Sequence, residues 1–216
     1  MSLNIALISV NQCATPYPVY PLGMAHITAA CKDAGHRVTQ IDCNITTVPM
    51  RQIMGDIQPD VIGISLRNID DVDITQKKYF VSSLIDLIKN IRLGSLVPIV
   101  LGGSGYSLFP KKLLEKTGAD FGIVGEGELS FLSLLNSIDN KSQWKQIPGL
   151  VYRDDDRIEY NSYIDQKENV CSPPTREPTF VCHYTQTSSM LNVQTQRGCS
   201  STCCYCTYPV IEGRSF

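Results

Sequence analysis

The first two-thirds of the chain switches repeatedly between short apolar runs and stretches with a helical period. Residues 4–10 read NIALISV; residues 60–65 (DVIGIS), 97–101 (VPIVL) and 120–124 have the same character. Runs this short and this apolar suit strands buried on both faces of a parallel sheet. Residues 37–42 form a further strand candidate. Pro98 stands near the start of its run, where a missing amide donor is tolerable. Helical patterns alternate with these runs. Residues 21–35 carry Pro21 in the first turn and Gly35 at the C-terminal cap, with an expected core stripe of Gly23, Ile27, Ala30 and Ala34. Residues 49–56 form a short helix, and residues 74–92 a long one with Val81, Leu84, Ile85, Ile88 and Ile91 on one face. Residues 108–117 end at Gly118, and residues 126–138 place Leu129, Leu132 and Leu135 inward. Five β–α units in series predict an α/β fold: an open five-stranded parallel sheet, Rossmann- or flavodoxin-like, in the order 2-1-3-4-5 with helices on both faces.

The pattern then changes. Residues 149–153 and 157–160 flank Asp154, Asp155 and Asp156, which predicts a small hairpin with a polar turn. Three adjacent aspartates cannot easily converge on one ion, so a solvated turn is the expectation. Residues 161–189 are polar, contain three prolines and show no period, as a linker would. Residues 190–196 alternate weakly and predict the first strand of another domain. The expected organisation is therefore a domain over 1–140, a hairpin and linker over 141–189, and the start of a second domain over 190–216.

Composition narrows the chemistry. A chain of 216 residues with 43% hydrophobic content can build one well-cored domain and some extra. The net charge of −2 implies no basic surface, which disfavours nucleic acid as a partner. No apolar run approaches membrane-span length, and the N-terminus lacks a signal-peptide pattern, so a cytoplasmic location is expected. Nine cysteines are many for such a chain, and their odd number and irregular spacing argue against a secreted disulfide framework. Cys199, Cys203, Cys204 and Cys206 crowd together.

Cys199, Cys203 and Cys206 follow the spacing C-x3-C-x2-C, with small residues Ser200, Ser201 and Thr202 between the first two. Three thiolates on one tight loop can hold three corners of a cubic cluster and leave one iron open. Cys204 is expected to pack rather than ligate. Zinc is the alternative, but it wants four ligands, and only Cys182 or His183 from an irregular segment could add one. With Tyr205 before the last cysteine, the loop resembles the signature of radical S-adenosylmethionine (SAM) enzymes. The resemblance implies a 4Fe-4S cluster on Cys199, Cys203 and Cys206 whose open iron binds SAM, with Tyr205 near that cofactor. Electron transfer would then cleave SAM to an adenosyl radical.

In an open α/β sheet, ligands bind beyond the carboxyl ends of the strands. Those positions hold residues 11–18 with Pro21, Leu22 and Gly23, then Ser65, Leu66, Arg67 and Asn68, then Gly102, Gly103, Ser104 and Gly105, then Gly125, Glu126, Gly127 and Glu128. Glycine loops allow close backbone approach but are common structural turns, and a G-x-G-x-x-G fingerprint is absent. The order PLGMAHI, AGHRV, PDVIGIS, GGS and GEGE resembles the cobalamin-binding domain that precedes radical SAM domains. The resemblance implies that Ser65 and Leu66 line the corrin and nucleotide-tail cleft, that Gly102 and Gly103 let the tail pass, and that residues 125–128 flank it. The structural alternatives are a polar strand end, tight turns, and helix N-terminal carboxylates. One departure matters: the histidine of a D-x-H-x-x-G motif is missing from residues 11–16, so cobalamin is expected without a protein histidine ligand. His26 and His36 lie elsewhere. Arg67 is expected on the cobalt face, where a cation would disfavour the more positive cobalt states; a solvent or propionamide contact is the alternative.

The resemblance implies a cobalamin-dependent radical SAM enzyme, chiefly a methyltransferase acting on unactivated carbon, or else a cyclase or rearrangement enzyme. It also implies a small-molecule, lipid or natural-product substrate and an external electron donor such as flavodoxin or ferredoxin. A β/α barrel needs roughly 200 residues, so most of the SAM and substrate pocket is expected beyond residue 216 and this polypeptide alone is expected to be inactive. Two other classes remain open: a cobalamin carrier module without a cluster, and a Rossmann-like nucleotide-binding protein with a zinc-binding tail.

Overall fold

Every apolar run becomes a strand in the computed structural model, which describes residues 2–13, 17–71, 77–163, 172–188 and 190–214. The parallel strands are β1 (Asn4–Ser9), β2 (Arg37–Asp42), β3 (Val61–Ser65), β4 (Ile99–Gly102) and β5 (Phe121–Ile123). They stand in the order β2-β1-β3-β4-β5, as the alternation of elements predicts. Side chains alternate across the pleat: in β1, Ala6 and Ile8 enter one apolar layer while Ile5 and Leu7 enter the other. α2 (Met50–Ile57), α3 (Phe80–Arg92) and α5 (Pro110–Thr117) cover the first layer. α1 (Leu22–Asp33), α6 (Glu128–Ser137) and the short α7 (Lys141–Trp144) cover the second.

The hairpin joins this sheet. β6 (Leu150–Asp154) pairs antiparallel with β5, and β7 (Arg157–Tyr160) with β6, which makes seven strands in one sheet. Asp155 takes a left-handed φ of 53° in the turn, and Lys141 binds Asp154 at 2.6 Å. The aspartates therefore form a solvated turn with an ion pair.

Several helix faces differ from expectation. In α1 the buried residues are Met24, Ala25, Thr28, Ala29, Ala30 and Cys31, because Gly23 faces the open end of the sheet and Ala34 lies past the last helical residue. In α6 the core contacts are Phe131, Leu134 and Leu135; Leu129 and Leu132 are only half-buried. The expected long helix over residues 74–92 is helical from Phe80 onward, and residues 72–76 lie outside the described residues. Helix starts earlier than expected after β4: α4 (Ser104–Leu108) is separated from α5 by Phe109, whose φ of −138° breaks the helix before Pro110.

The expected linker contains α8 (Pro178–Ser188). Only Phe180 and Tyr184 are buried from it, so no amphipathic stripe marks it in sequence. Tertiary contacts hold it instead: Tyr184 donates its hydroxyl to Asp42 at 2.6 Å and stacks edge-on against Tyr20 at 5.6 Å. Residues 190–203 form no strand, since no described strand lies alongside to complete a ladder. The chain ends in a short helix, α9 (Tyr208–Ile211). Among the described residues, no helix is long and apolar enough to cross a membrane.

Candidate cofactor cavity

The carboxyl ends of the parallel strands open into a cavity of about 620 Å³. This is where strand direction places ligands in such sheets, because the loops diverge there on either side of a reversal in strand order. The floor is built from β1, β3 and β4. Asn11, just beyond β1, is nearly buried and splints the next loop. Its Oδ1 accepts the N–H groups of Arg67 (2.5 Å) and Asn68 (3.3 Å), and its Nδ2 donates to the Asn68 carbonyl at 3.0 Å. Ser104 closes the same loop by donating its hydroxyl to the Arg67 carbonyl at 2.8 Å. Asn44 in turn donates to the Asn11 carbonyl at 3.0 Å and to the Tyr184 hydroxyl at 3.1 Å.

Twelve expected cofactor residues meet on this cavity: Leu22, Gly23, Ser65, Arg67, Asn68, Gly102, Gly103, Ser104, Gly125, Glu126, Gly127 and Glu128. Two others do not. The Leu66 side chain is fully buried in the layer under α3 and α5 because it points to the opposite pleat, and only its carbonyl serves the loop, accepting Gly105 N–H at 3.0 Å. Tyr205 is 86% exposed on the cysteine loop, away from the lining.

The glycines divide into two kinds. Gly103 has φ +96°, and a Cβ there would lie 2.6 Å from the Leu66 carbonyl oxygen; Gly125 has φ +77° with the Tyr163 ring as close as 2.5 Å. These two are required by the fold itself. Gly23 has nothing within 4 Å of a built Cβ, and Gly102 only the Ile123 carbonyl at 3.9 Å. Neither has a packing reason to be glycine, and both open onto the cavity.

The opposite wall was not foreseen from sequence. Residues 192–197 with Tyr208, Ile211 and Glu212 face the strand ends across the cavity. Arg176 holds this wall by donating to the Asn192 carbonyl at 2.6 Å while its guanidinium lies 4.8 Å from the centre of the Tyr20 ring. Asn192 donates to the Tyr20 carbonyl at 3.2 Å. Two lining atoms are buried without a hydrogen-bond partner among the described residues, Nδ1 of His26 and Oδ1 of Asn192. Burial, and then the positive charge of Arg197, holds the His26 pKa below its ordinary value, which keeps the ring neutral near pH 7. Glu212 is pushed above the ordinary carboxylate range by burial and then by the charge of Glu126. His36 is at the far end of β2 and accepts the Leu3 N–H at 3.1 Å, a structural role.

Cys199 and Cys206 are half-buried, and Cys203 and Cys204 are exposed. Cys204 is thus not a packing residue, because no described residue covers the loop on that side. The Cys206 N–H donates to the Cys203 carbonyl at 3.2 Å, and the Cys199 N–H to the Gly213 carbonyl at 3.1 Å. The loop is turned, but among the described residues no three metal-ligating side chains converge closely enough to hold an ion. The expected ligand set shares a loop without a formed coordination sphere.

A family model described as "B12 binding domain" matches residues 10–135. Tryptophan 2-C-methyltransferase of Streptomyces laurentii is 29% identical over 68% of this chain and 25% of its own length. The radical SAM methyltransferase TsrM from Kitasatospora setae, solved with cobalamin and a 4Fe-4S cluster bound, superposes with a TM-score of 0.82 at 22% identity, over 99% of this chain and 44% of that one. The cobalamin-dependent SAM radical enzyme OxsB, solved with aqua-cobalamin and SAM, gives a TM-score of 0.74 at 21% identity, over 95% of this chain and 28% of that one. This chain spans less than half the length of each.

Proposed function

The chain belongs to the B12 binding domain family, and from that premise we propose that it is the cobalamin-binding portion of a cobalamin-dependent radical SAM methyltransferase acting on an unactivated carbon. The carrying observation is the cavity at the strand ends. Its two open glycines, Gly23 and Gly102, leave room for a large ligand against the backbone, and His26 Nδ1 and Asn192 Oδ1 await partners. A corrin ring edged with amides suits such a lining: an amide N–H can donate to either orphaned atom. Cobalamin would supply a transferable methyl group.

The residues around the cavity have distinct tasks in this reading. Asn11 and Ser104 hold the Arg67 loop, so the guanidinium is presented to the ligand face by fixed backbone. The loop after β1, residues 11–18, carries no histidine, so cobalamin would bind without a histidine ligand to cobalt from that loop. Cys199, Cys203 and Cys206 would hold a 4Fe-4S cluster that, with SAM, supplies radical chemistry; Tyr205 would flank it. A small-molecule substrate and an external electron donor complete the proposal. The sequence likeness to tryptophan 2-C-methyltransferase supports methylation over other radical outcomes.

Anaerobic titration of the chain with hydroxocobalamin, followed by visible absorption and Trp144 fluorescence, tests the proposal. Saturable one-to-one binding is expected. A folded chain that does not bind would remove cobalamin from the function.

A further inference from the structure

Arg197 stands two residues before Cys199, yet its side chain reaches across 69 positions of sequence to the turn after β5. Its Nη1 lies 3.1 Å from Glu126 Oε2 and its Nη2 2.6 Å from Glu128 Oε1, while Nε donates to Gln194 Oε1 at 3.2 Å. The pair is shielded: the side chains are 25% exposed for Arg197, 19% for Glu126 and 6% for Glu128. Both carboxylates sit on a rigid base. The Gly125 N–H donates to Ser107 Oγ at 3.0 Å, and Glu128 is the first residue of α6, where the helix dipole favours a negative charge. The other side is equally anchored. Gln196 donates to the Gly198 carbonyl at 3.0 Å, Gly198 turns at φ +81°, and Cys199 is tied to Gly213.

The fork of a guanidinium can hold two carboxylates and a side-chain amide at once; a lysine ammonium has one point of charge and no such plane. Glu126 and Glu128 therefore have a task beyond facing a ligand or capping a helix. We propose that Arg197 is a positioning residue, clamping the root of the cysteine loop to the cobalamin-binding sheet through Glu126 and Glu128 and so fixing where that loop stands relative to the cavity. Its functional meaning rests on the reading of the cavity and loop as cofactor sites; the clamp itself does not.

Hydrogen exchange on the 216-residue chain, without cofactors, separates the two. In Arg197→Gln, exchange over residues 192–206 is expected to speed about tenfold while strands β1 to β5 keep their protection. Glu128→Gln should reproduce the effect, Arg197→Lys should fall between, and the double variant Arg197→Gln/Glu128→Gln should add nothing beyond Arg197→Gln. Exchange over 192–206 within about twofold of wild type would overturn the clamp, and so would loss of protection spread evenly through the sheet, which signifies a merely structural role. Hydroxocobalamin titration is read alongside. A clamp effect in a chain that binds no cobalamin leaves the clamp standing and defeats the functional reading.

Discussion

Gly23 and Gly102 against Gly103 are the sharpest contrast available at single positions. Gly103 is held at φ +96° with a carbonyl oxygen 2.6 Å from a built Cβ, so Gly103→Ala should cost about 2–3 kcal/mol in chemical denaturation. Gly23 lies in the first turn of α1 with open space, so Gly23→Ala should leave stability unchanged or raise it by about 0.5 kcal/mol. It would also place a methyl group in the cavity, and together with Gly102→Ala should weaken cobalamin binding about tenfold. Unchanged affinity in both would mean that the ligand does not pass there. Arg67 makes a second prediction. Its backbone is fixed by Asn11 while its side chain is exposed at the cavity, so Arg67→Ala should ease oxidation of bound cobalt without loss of fold. An unchanged spectrum and redox response would place the guanidinium elsewhere.

α8 depends on one buried pin. Asp42 is fully buried at the end of β2, accepting the Tyr184 hydroxyl and the Asn44 N–H at 2.9 Å. Tyr184→Phe leaves that carboxyl one donor short and should cost about 1–3 kcal/mol. Burial raises the Asp42 pKa, outweighing the bonds from Tyr184 and Asn44 and the charge of His183, which lower it. The folded chain therefore keeps this proton to higher pH than the unfolded chain does. The contribution of Asp42 is greatest below the ordinary carboxylate range and declines as pH rises through the raised value. Denaturation midpoints followed as pH rises from the ordinary carboxylate range should show this decline in wild type and lose it in Asp42→Asn. An identical pH dependence in Asp42→Asn would show that another group controls it. α8 also marks where element prediction stops. With two buried residues in eleven, its helical state is set by the sheet edge it meets rather than by a periodic pattern.

Across the whole molecule, the cysteine loop follows directly on the cavity wall at Arg197, but Cys199, Cys203, Cys204 and Cys206 do not line the cavity. Cys199→Ala should abolish iron–sulfur absorbance after anaerobic reconstitution while leaving hydroxocobalamin affinity within about twofold, because Cys199 does not line the cavity. Linked loss of both would mean that loop and cavity form one site. The sheet itself shows the same division of labour. Five parallel strands bury a continuous core on both faces, and the antiparallel hairpin closes the β5 edge.

Strand positions, their parallel order and the glycine-bearing loops at their carboxyl ends were legible in the sequence, because apolar runs, turn residues and the handedness of β–α–β units are local or nearly local properties. The spacing of Cys199, Cys203 and Cys206 was legible for the same reason. Tertiary structure decided what depends on distant partners. The pleat turns Leu66 inward while its neighbours Ser65 and Arg67 face the cavity, and α8 folds because Asp42 and Tyr20 receive Tyr184. The far wall of the cavity, and the ion pairs joining Arg197 to Glu126 and Glu128, unite segments that no sequence period connects. Periodicity reports which face an element buries; it does not report which remote side chain meets that face, and the second wall of this cavity is made of such meetings.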